Sequence, residues 1–266
     1  MFDMSLAIAI TGKGGVGKTT IAGLLVKGLI QRGRTPVLAV DADPNTCLDA
    51  ILGVKCSTSI GSVREEARQI AGKGMGAGIS KQQLLEMKIA ESLVEAEDFD
   101  LLAMGRPEGP GCYCYANNVL KEALNQISAS YPYLIIDNEA GLENLSRRIV
   151  RRVDVLLIVA DPSRRGLDTV RRLHELADEM EVAYERLVIV VNRLRGGDLP
   201  AGADELRAEA GAELMLGLPE DAELASAAED GKSVFELSAT NDVAGRIEGL
   251  LNEVMGHATR GGHNGR

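Results

Sequence analysis

The chain has 266 residues, 45% of them hydrophobic and 26% charged, which suits one large α/β domain and excludes disorder as a whole-chain description. Its 29 Lys and Arg against 39 Asp and Glu leave a formal charge of −10, so no nucleic-acid or membrane partner is expected from bulk charge, because counterion release needs a basic surface. With no Trp and only 3% aromatics, a base-stacking platform is excluded as well. Met1–Ile10 lacks a basic leader, and no apolar run approaches the roughly 18 residues of a membrane span, so a cytoplasmic protein is expected. Four cysteines in this length do not make a secreted disulfide framework.

Apolar runs of strand length follow one another along the chain: Leu6–Ile10, Val37–Val40, Leu101–Met104, Leu134–Ile136, Val155–Ala160, Leu187–Val191 and Leu214–Leu218. They are continuous rather than alternating, the pattern of parallel strands covered on both faces. Helical spacing lies between them, with Ala116, Val119, Leu120, Ala123, Leu124 and Ile127 on one face, and Leu167, Val170, Leu173 and Ala177 on another. This alternation predicts a doubly wound, mostly parallel α/β sheet of seven to eight strands with helices on both faces, and ligands at the carboxyl ends of the strands. A single domain is expected over residues 1–255, with a disordered tail over 256–266. The Gly-rich patch Gly72–Gly78 inside the long excursion from Ile60 to Asp98 predicts a mobile loop.

The first strand runs directly into Thr11-Gly12-Lys13-Gly14-Gly15-Val16-Gly17-Lys18-Thr19-Thr20, and an apolar helix is expected from near Ile21. Gly12-x4-Gly17-Lys18-Thr19 fits the phosphate-loop pattern in its required strand-to-helix setting. The glycines let backbone N–H groups of Gly14, Gly15, Val16 and Gly17 curl around phosphate oxygens, and the helix N-terminus adds partial positive charge. Lys18 is expected on the β- and γ-phosphates and the Thr19 hydroxyl on Mg²⁺, with Thr20 beside it.

Lys13 is a second lysine inside this loop, and Lys-Gly-Gly-Val-Gly-Lys-Thr resembles the deviant Walker A signature of the MinD/ParA/nitrogenase-iron-protein superfamily. The resemblance implies that Lys13 crosses a homodimer interface to the partner's nucleotide, where positive charge favours phosphoryl transfer. It extends to Asp41-Ala42-Asp43-Pro44 as switch I, with Asp43 positioning the attacking water and Asp41 supporting Mg²⁺ from behind. Leu134–Asp137 resembles Walker B, with Asp137 on Mg²⁺ through water, and Asn138–Gly141 resembles switch II, whose Gly141 N–H senses the γ-phosphate. Glu139 departs from relatives that carry Gly or Pro there. Asn192 matches the asparagine that reads adenine, and Pro219-Glu220-Asp221 fits the second adenine-side loop.

Cys112-Tyr113-Cys114, just before a predicted helix, sets this chain apart from partitioning ATPases. A helix N-terminus favours the thiolate that binds metal, and one Cys-x-Cys supplies two of the four ligands a closed site needs. A two-fold dimer supplies the other two. With the phosphate loop, Asp41-Ala-Asp-Pro-Asn-Thr-Cys47-Leu and Asp137-x-x-Ala-Gly-Leu-Glu-Asn-Leu-Ser, this stretch resembles the nickel-insertion accessory ATPases of carbon monoxide dehydrogenase, over roughly residues 5–235. That resemblance implies an Mg-ATP-dependent homodimeric metallochaperone with Cys112 and Cys114 sharing one Ni²⁺ or Zn²⁺ across the dimer, and carbon monoxide dehydrogenase as client. Glu108-Gly-Pro-Gly-Cys112 also resembles the cluster loop of nitrogenase iron proteins, so an iron–sulfur reductase component is an alternative. It is disfavoured because Asp137–Ser146 contains no second cysteine. A MinD- or ParA-type positioning ATPase is the other alternative, although the Val243–Met255 helix is not the basic amphipathic anchor such a protein uses. Cys47 and Cys56 are expected to be packed apolar residues, and the arginines between Arg147 and Arg172 a solvated face balanced by nearby acids.

Overall fold

The computed structural model describes residues 6–62, 89–105, 125–142 and 152–258, with Gln83 and Met87 between the first two stretches. Eight strands form one sheet: β1 (Leu6–Gly12), β2 (Val37–Asp41), β3 (Val94–Glu95), β4 (Phe99–Ala103), β5 (Tyr133–Asp137), β6 (Val153–Ala160), β7 (Tyr184–Leu194) and β8 (Leu214–Pro219). Their order is β3-β4-β2-β5-β1-β6-β7-β8, and every neighbour pair is parallel except β3 with β4. Each of the seven apolar runs is a strand, and β3 is the addition. Two residues long and half-buried at the edge, it carries too little apolar sequence to announce itself.

The helices among the described residues are α1 (Lys18–Gln31), α2 (Leu48–Leu52), α3 (Arg164–Glu179), α4 (Ala203–Glu209), α5 (Ala222–Asp230) and α6 (Asp242–Ala258), with a 3₁₀ turn at Val234–Glu236. Alternate strand residues feed two cores. Leu6, Ile8 and Ile10 join Ile21, Leu25, Ile247 and Leu251 under α1 and α6, while Ala7 and Ala9 join Leu167, Val170, Leu173 and Ala177 under α3. The doubly wound, two-faced sheet expected from the continuous apolar runs is therefore what forms.

Some boundaries differ from expectation. The first helix begins at Lys18 rather than near Ile21, because the phosphate loop itself supplies the first turn. The last helix reaches Ala258, into the stretch expected to be tail. Cys47 is exposed and Cys56 half-buried, so neither is a packed core thiol. Cys47 stands at the N-terminus of α2, where its N–H is drawn onto Asp41 at 2.8 Å. Arg152 pairs with Glu185, and Arg171 with Asp168 and Glu209, as a balanced surface requires. The patch Gly72–Gly78, the helical spacing from Ala116 to Leu124, and Arg147, Arg148 and Arg151 lie outside the described residues. Among the described residues no helix is long and apolar enough to cross a membrane.

Candidate nucleotide site at the carboxyl ends of the strands

The predicted loop and the two acidic strand ends converge on one end of the sheet. In register, Asp137 of β5 stands beside Ile10 of β1 and Asp41 of β2, so two carboxylates meet where β1 turns into the loop. Gly12 allows the turn: a Cβ there would sit 2.2 Å from the Val159 carbonyl oxygen of β6. Gly17, in the left-handed region at φ 96°, caps α1, and a Cβ on it would lie 2.5 Å from the Asn192 amide nitrogen. Gly14 and Gly15 face open space, and Lys13 beside them is exposed. The loop thus offers α1's N-terminal N–H groups to solvent, an arrangement suited to an anion. Lys18 is buried at 8% exposure, and its ammonium donates to the Lys13 carbonyl at 3.2 Å, spanning the loop from beneath.

Asp137 is 1% exposed, with Oδ1 unpartnered. Burial pushes its carboxyl up to about 7 against the Thr19 hydroxyl bonded to it, with Asp41 pushing it further and Lys18 pulling it back. An orphaned buried carboxylate oxygen beside a threonine hydroxyl is a donor set that fits a hard divalent cation such as Mg²⁺. Asp41, fully buried, accepts from the N–H groups of Asp43 (3.0 Å), Cys47 (2.8 Å) and Leu48 (2.9 Å). Burial raises its carboxyl while these N–H groups lower it. Both of its carboxylate oxygens are thus engaged with the backbone. Asp43 is half-buried and its Oδ1 accepts from Asn45 N–H at 2.8 Å.

The segment from Asn138 to Gly141 is tied to the loop by contacts the sequence did not suggest. The Thr11 hydroxyl donates to the Gly141 carbonyl at 2.6 Å, and Gly141 N–H donates to the Gly12 carbonyl at 3.4 Å. Asn138 gives both its backbone N–H (3.1 Å) and its side-chain amide (2.9 Å) to the Ile10 carbonyl. Glu139 is exposed.

Beyond the loop a cavity of about 550 Å³ is lined by Gly17, Thr20, Asn192, Pro219 and Asp221, and by α5. Asn192 donates to the Val16 carbonyl at 2.8 Å and accepts from Arg193 N–H at 3.0 Å, which fixes its amide at the cavity mouth. Arg193, with φ 61°, also lines this cavity, where the sequence suggested only its neighbour. Asp221 is present but engaged: its carboxylate caps α5 through Leu224 N–H at 2.8 Å, making it a wall rather than a free ligand.

Of the predicted site residues, Gly12 to Thr20, Asp41, Asp43, Asp137, Gly141, Asn192, Pro219 and Asp221 thus gather around one continuous site. Cys112 and Cys114 lie outside the described residues, as does everything between Arg106 and Leu124. Among the described residues, no group of three or more His, Cys, Asp or Glu makes a metal-holding cluster.

Comparison with known proteins gives the same picture. Residues 5–189 match the family model described as AAA domain. The chain is 38% identical to an uncharacterised ATP-binding protein of Methanocaldococcus jannaschii, over 94% of this chain and 98% of that one. It is 30% identical to the carbon monoxide dehydrogenase accessory protein CooC of Rhodospirillum rubrum, again over 94% and 98%. Among solved structures, the MinD cell division protein of Aquifex aeolicus superimposes with a TM-score of 0.67 at 24% identity, covering 94% of this chain and 97% of that one.

Proposed function

From the premise that the chain belongs to the AAA-domain family, as a P-loop ATPase of the MinD/ParA type, we propose that it is a homodimeric, cytoplasmic Mg-ATP-dependent metallochaperone that assists nickel insertion into carbon monoxide dehydrogenase. The observation that carries this reading is the likeness to the accessory protein CooC over 98% of that protein's length. Cys112-x-Cys114 in this chain supplies the chemistry such a role needs. A fold shared with MinD keeps a positioning ATPase as the second reading.

In the proposed reaction the loop from Gly12 to Gly17 cradles the α- and β-phosphates, and Lys18 moves from the Lys13 carbonyl onto the β- and γ-phosphates. Thr19 and Asp137 would hold Mg²⁺, which supplies positive charge to the phosphates when bound. Asp43 Oδ2 orients the attacking water, and Asn192 with Pro219 receives the adenine. Lys13 reaches the partner's γ-phosphate, consistent with its exposure and with the open space around Gly14 and Gly15. Asp43→Asn keeps the shape and removes the charge. Its hydrolysis is expected to fall by about 10²–10⁴, with ATP affinity retained and an ATP-bound dimer accumulating in size-exclusion chromatography. Wild-type turnover would refute the switch I role.

Nickel or zinc is the cargo, held by two Cys112–Cys114 pairs, one from each subunit. Because neither monomer completes four-thiolate coordination, metal must favour the dimer. ATP favours the same dimer, so the two ligands are expected to couple in both directions. One Ni²⁺ per two chains is expected to shift nucleotide-free protein from monomer to dimer under anaerobic sedimentation, to release protons on binding, and to be reversed by a chelator. Replacing both cysteines by alanine is expected to abolish this shift and leave ATP binding intact. Retention of metal at the same stoichiometry in the double variant would refute the site. A broad visible charge-transfer band in protein purified without oxygen would instead favour the iron–sulfur alternative.

A further inference from the structure

Helix α5 forms one wall of the cavity beyond the phosphate loop, through Ala222, Leu224, Ala225 and Ala228, yet it contributes no fully buried residue. Only Leu224 and Ala227 lean on the core. Nine residues with so little apolar anchorage do not hold a helix in place by themselves. What fastens it is polar and concentrated at its N-terminus. Asn241, 6% exposed, donates its side-chain amide to both carboxylate oxygens of Asp221 at 3.2 and 3.1 Å and to Glu223 at 2.9 Å. Its carbonyl oxygen accepts from Ala244 N–H at 2.9 Å, in the first turn of α6. One amide therefore bridges two acidic residues at the start of α5 to a helix packed in the core.

The neighbours reinforce the bridge. Glu223 also accepts from the Ser238 N–H at 2.6 Å and hydroxyl at 2.9 Å, and these bonds, with that from Asn241, hold its carboxyl below the ordinary range. Between α5 and Asn241 the chain is pinned to α1 by Lys27, itself 6% exposed, whose ammonium donates to the carbonyls of Val234 at 2.8 Å and Leu237 at 3.4 Å. Hydrogen bonds to charged groups are the stronger kind. The wall thus stands on a polar clamp rather than on the hydrophobic core, and the clamp touches the nucleoside end of the cavity, not the phosphate loop.

We infer that Asn241 is a positioning residue for the nucleoside half of the site, fixing α5 at the distance at which the base and ribose are gripped; this rests on the ATP reading above. The test measures equilibrium binding of Mg-ATP and of Mg-tripolyphosphate, which has phosphates but no nucleoside, to the full chain. Asn241→Ala is expected to weaken Mg-ATP by about tenfold and to change Mg-tripolyphosphate by less than about twofold. Ser238→Ala, at an exposed position, is expected to give a smaller change of the same kind and keeps the test open if Asn241→Ala does not fold. A general loosening of the protein would weaken both probes together. Equal loss for both probes, or unchanged Mg-ATP affinity in both variants, overturns the inference while leaving the ATP reading in place. Wild-type protein that binds tripolyphosphate as tightly as ATP overturns the ATP reading, and the inference with it.

Discussion

Lys13→Ala is expected to bind ATP almost as well as the wild-type chain and to hydrolyse it about 10³–10⁵ times more slowly, whereas Lys18→Ala is expected to lose binding itself. The two lysines differ in what surrounds them. Lys18 is buried beneath the loop with its ammonium 3.2 Å from the Lys13 carbonyl, so its removal strips the cradle of a buried positive charge. Losing two charge-assisted bonds to phosphate weakens binding by about 10²-fold or more. Lys13 is exposed, and only its backbone carbonyl serves its own loop, a service alanine provides equally. In the proposed dimer its side chain would act on the nucleotide of the partner, where a cationic finger contributes to turnover rather than to ground-state affinity. Titration with a fluorescent ATP analogue and phosphate release, run on both variants, separate the roles. Equal losses of affinity would contradict the action across the dimer. A mixture of Lys13→Ala and Asp43→Asn chains should recover part of the activity, since one composite site then keeps both groups.

Asp137→Asn is expected to move two properties in opposite directions. Burial holds the Asp137 carboxyl near 7, above its ordinary 3.8. A carboxyl raised in this way contributes stability that is full below its unfolded value and is lost as pH rises through the folded one. The metal-free protein should therefore lose stability between about pH 4 and pH 7 on this account, and the amide should not. At pH 8 the variant is expected to melt about 2–4 °C higher than the wild type in EDTA. The same substitution removes the oxygen that a divalent cation would neutralise, so Mg²⁺-dependent ATP hydrolysis should fall below detection. In the wild type, a proton competes for this carboxylate, and apparent Mg²⁺ affinity should weaken as pH drops through 7. A variant that melts lower at pH 8 in EDTA, or that hydrolyses ATP at the wild-type rate, would refute the assignment of Asp137.

The parts of this protein that sequence alone conveyed are those whose physics is local. Continuous apolar runs such as Val155–Ala160 announce a strand covered on both faces, and the spacing Leu167, Val170, Leu173, Ala177 announces the buried face of α3. The phosphate loop is legible for the same reason, since its glycines, lysine and threonine act within one turn. Contacts that join distant segments left no such mark. Thr11 reads only as the first residue of the phosphate loop until Gly141 is seen 2.6 Å away, and Asn241 carries no mark in the sequence until Asp221 and Glu223 are placed beside it. Asp221 was legible as a position and not as a role, because its carboxylate is consumed by Leu224 and Asn241. Cys47 reads as apolar filler, yet it is exposed, because Asp41 holds its backbone at the helix start.

The unequal pair of bonds between the phosphate loop and Gly141 sets how hard the Asn138–Gly141 segment is to move. The short one, from Thr11 to the Gly141 carbonyl at 2.6 Å, behaves as a hinge pin, while the long one, from Gly141 N–H to Gly12 at 3.4 Å, behaves as a catch. A neutral hydrogen bond contributes about 1 kcal/mol net, and a stretched one less. Thermal fluctuation alone therefore opens the catch in at least roughly one molecule in six. A ligand able to take the freed N–H would find a population already waiting and would only have to hold it, with the pin keeping the segment in register throughout.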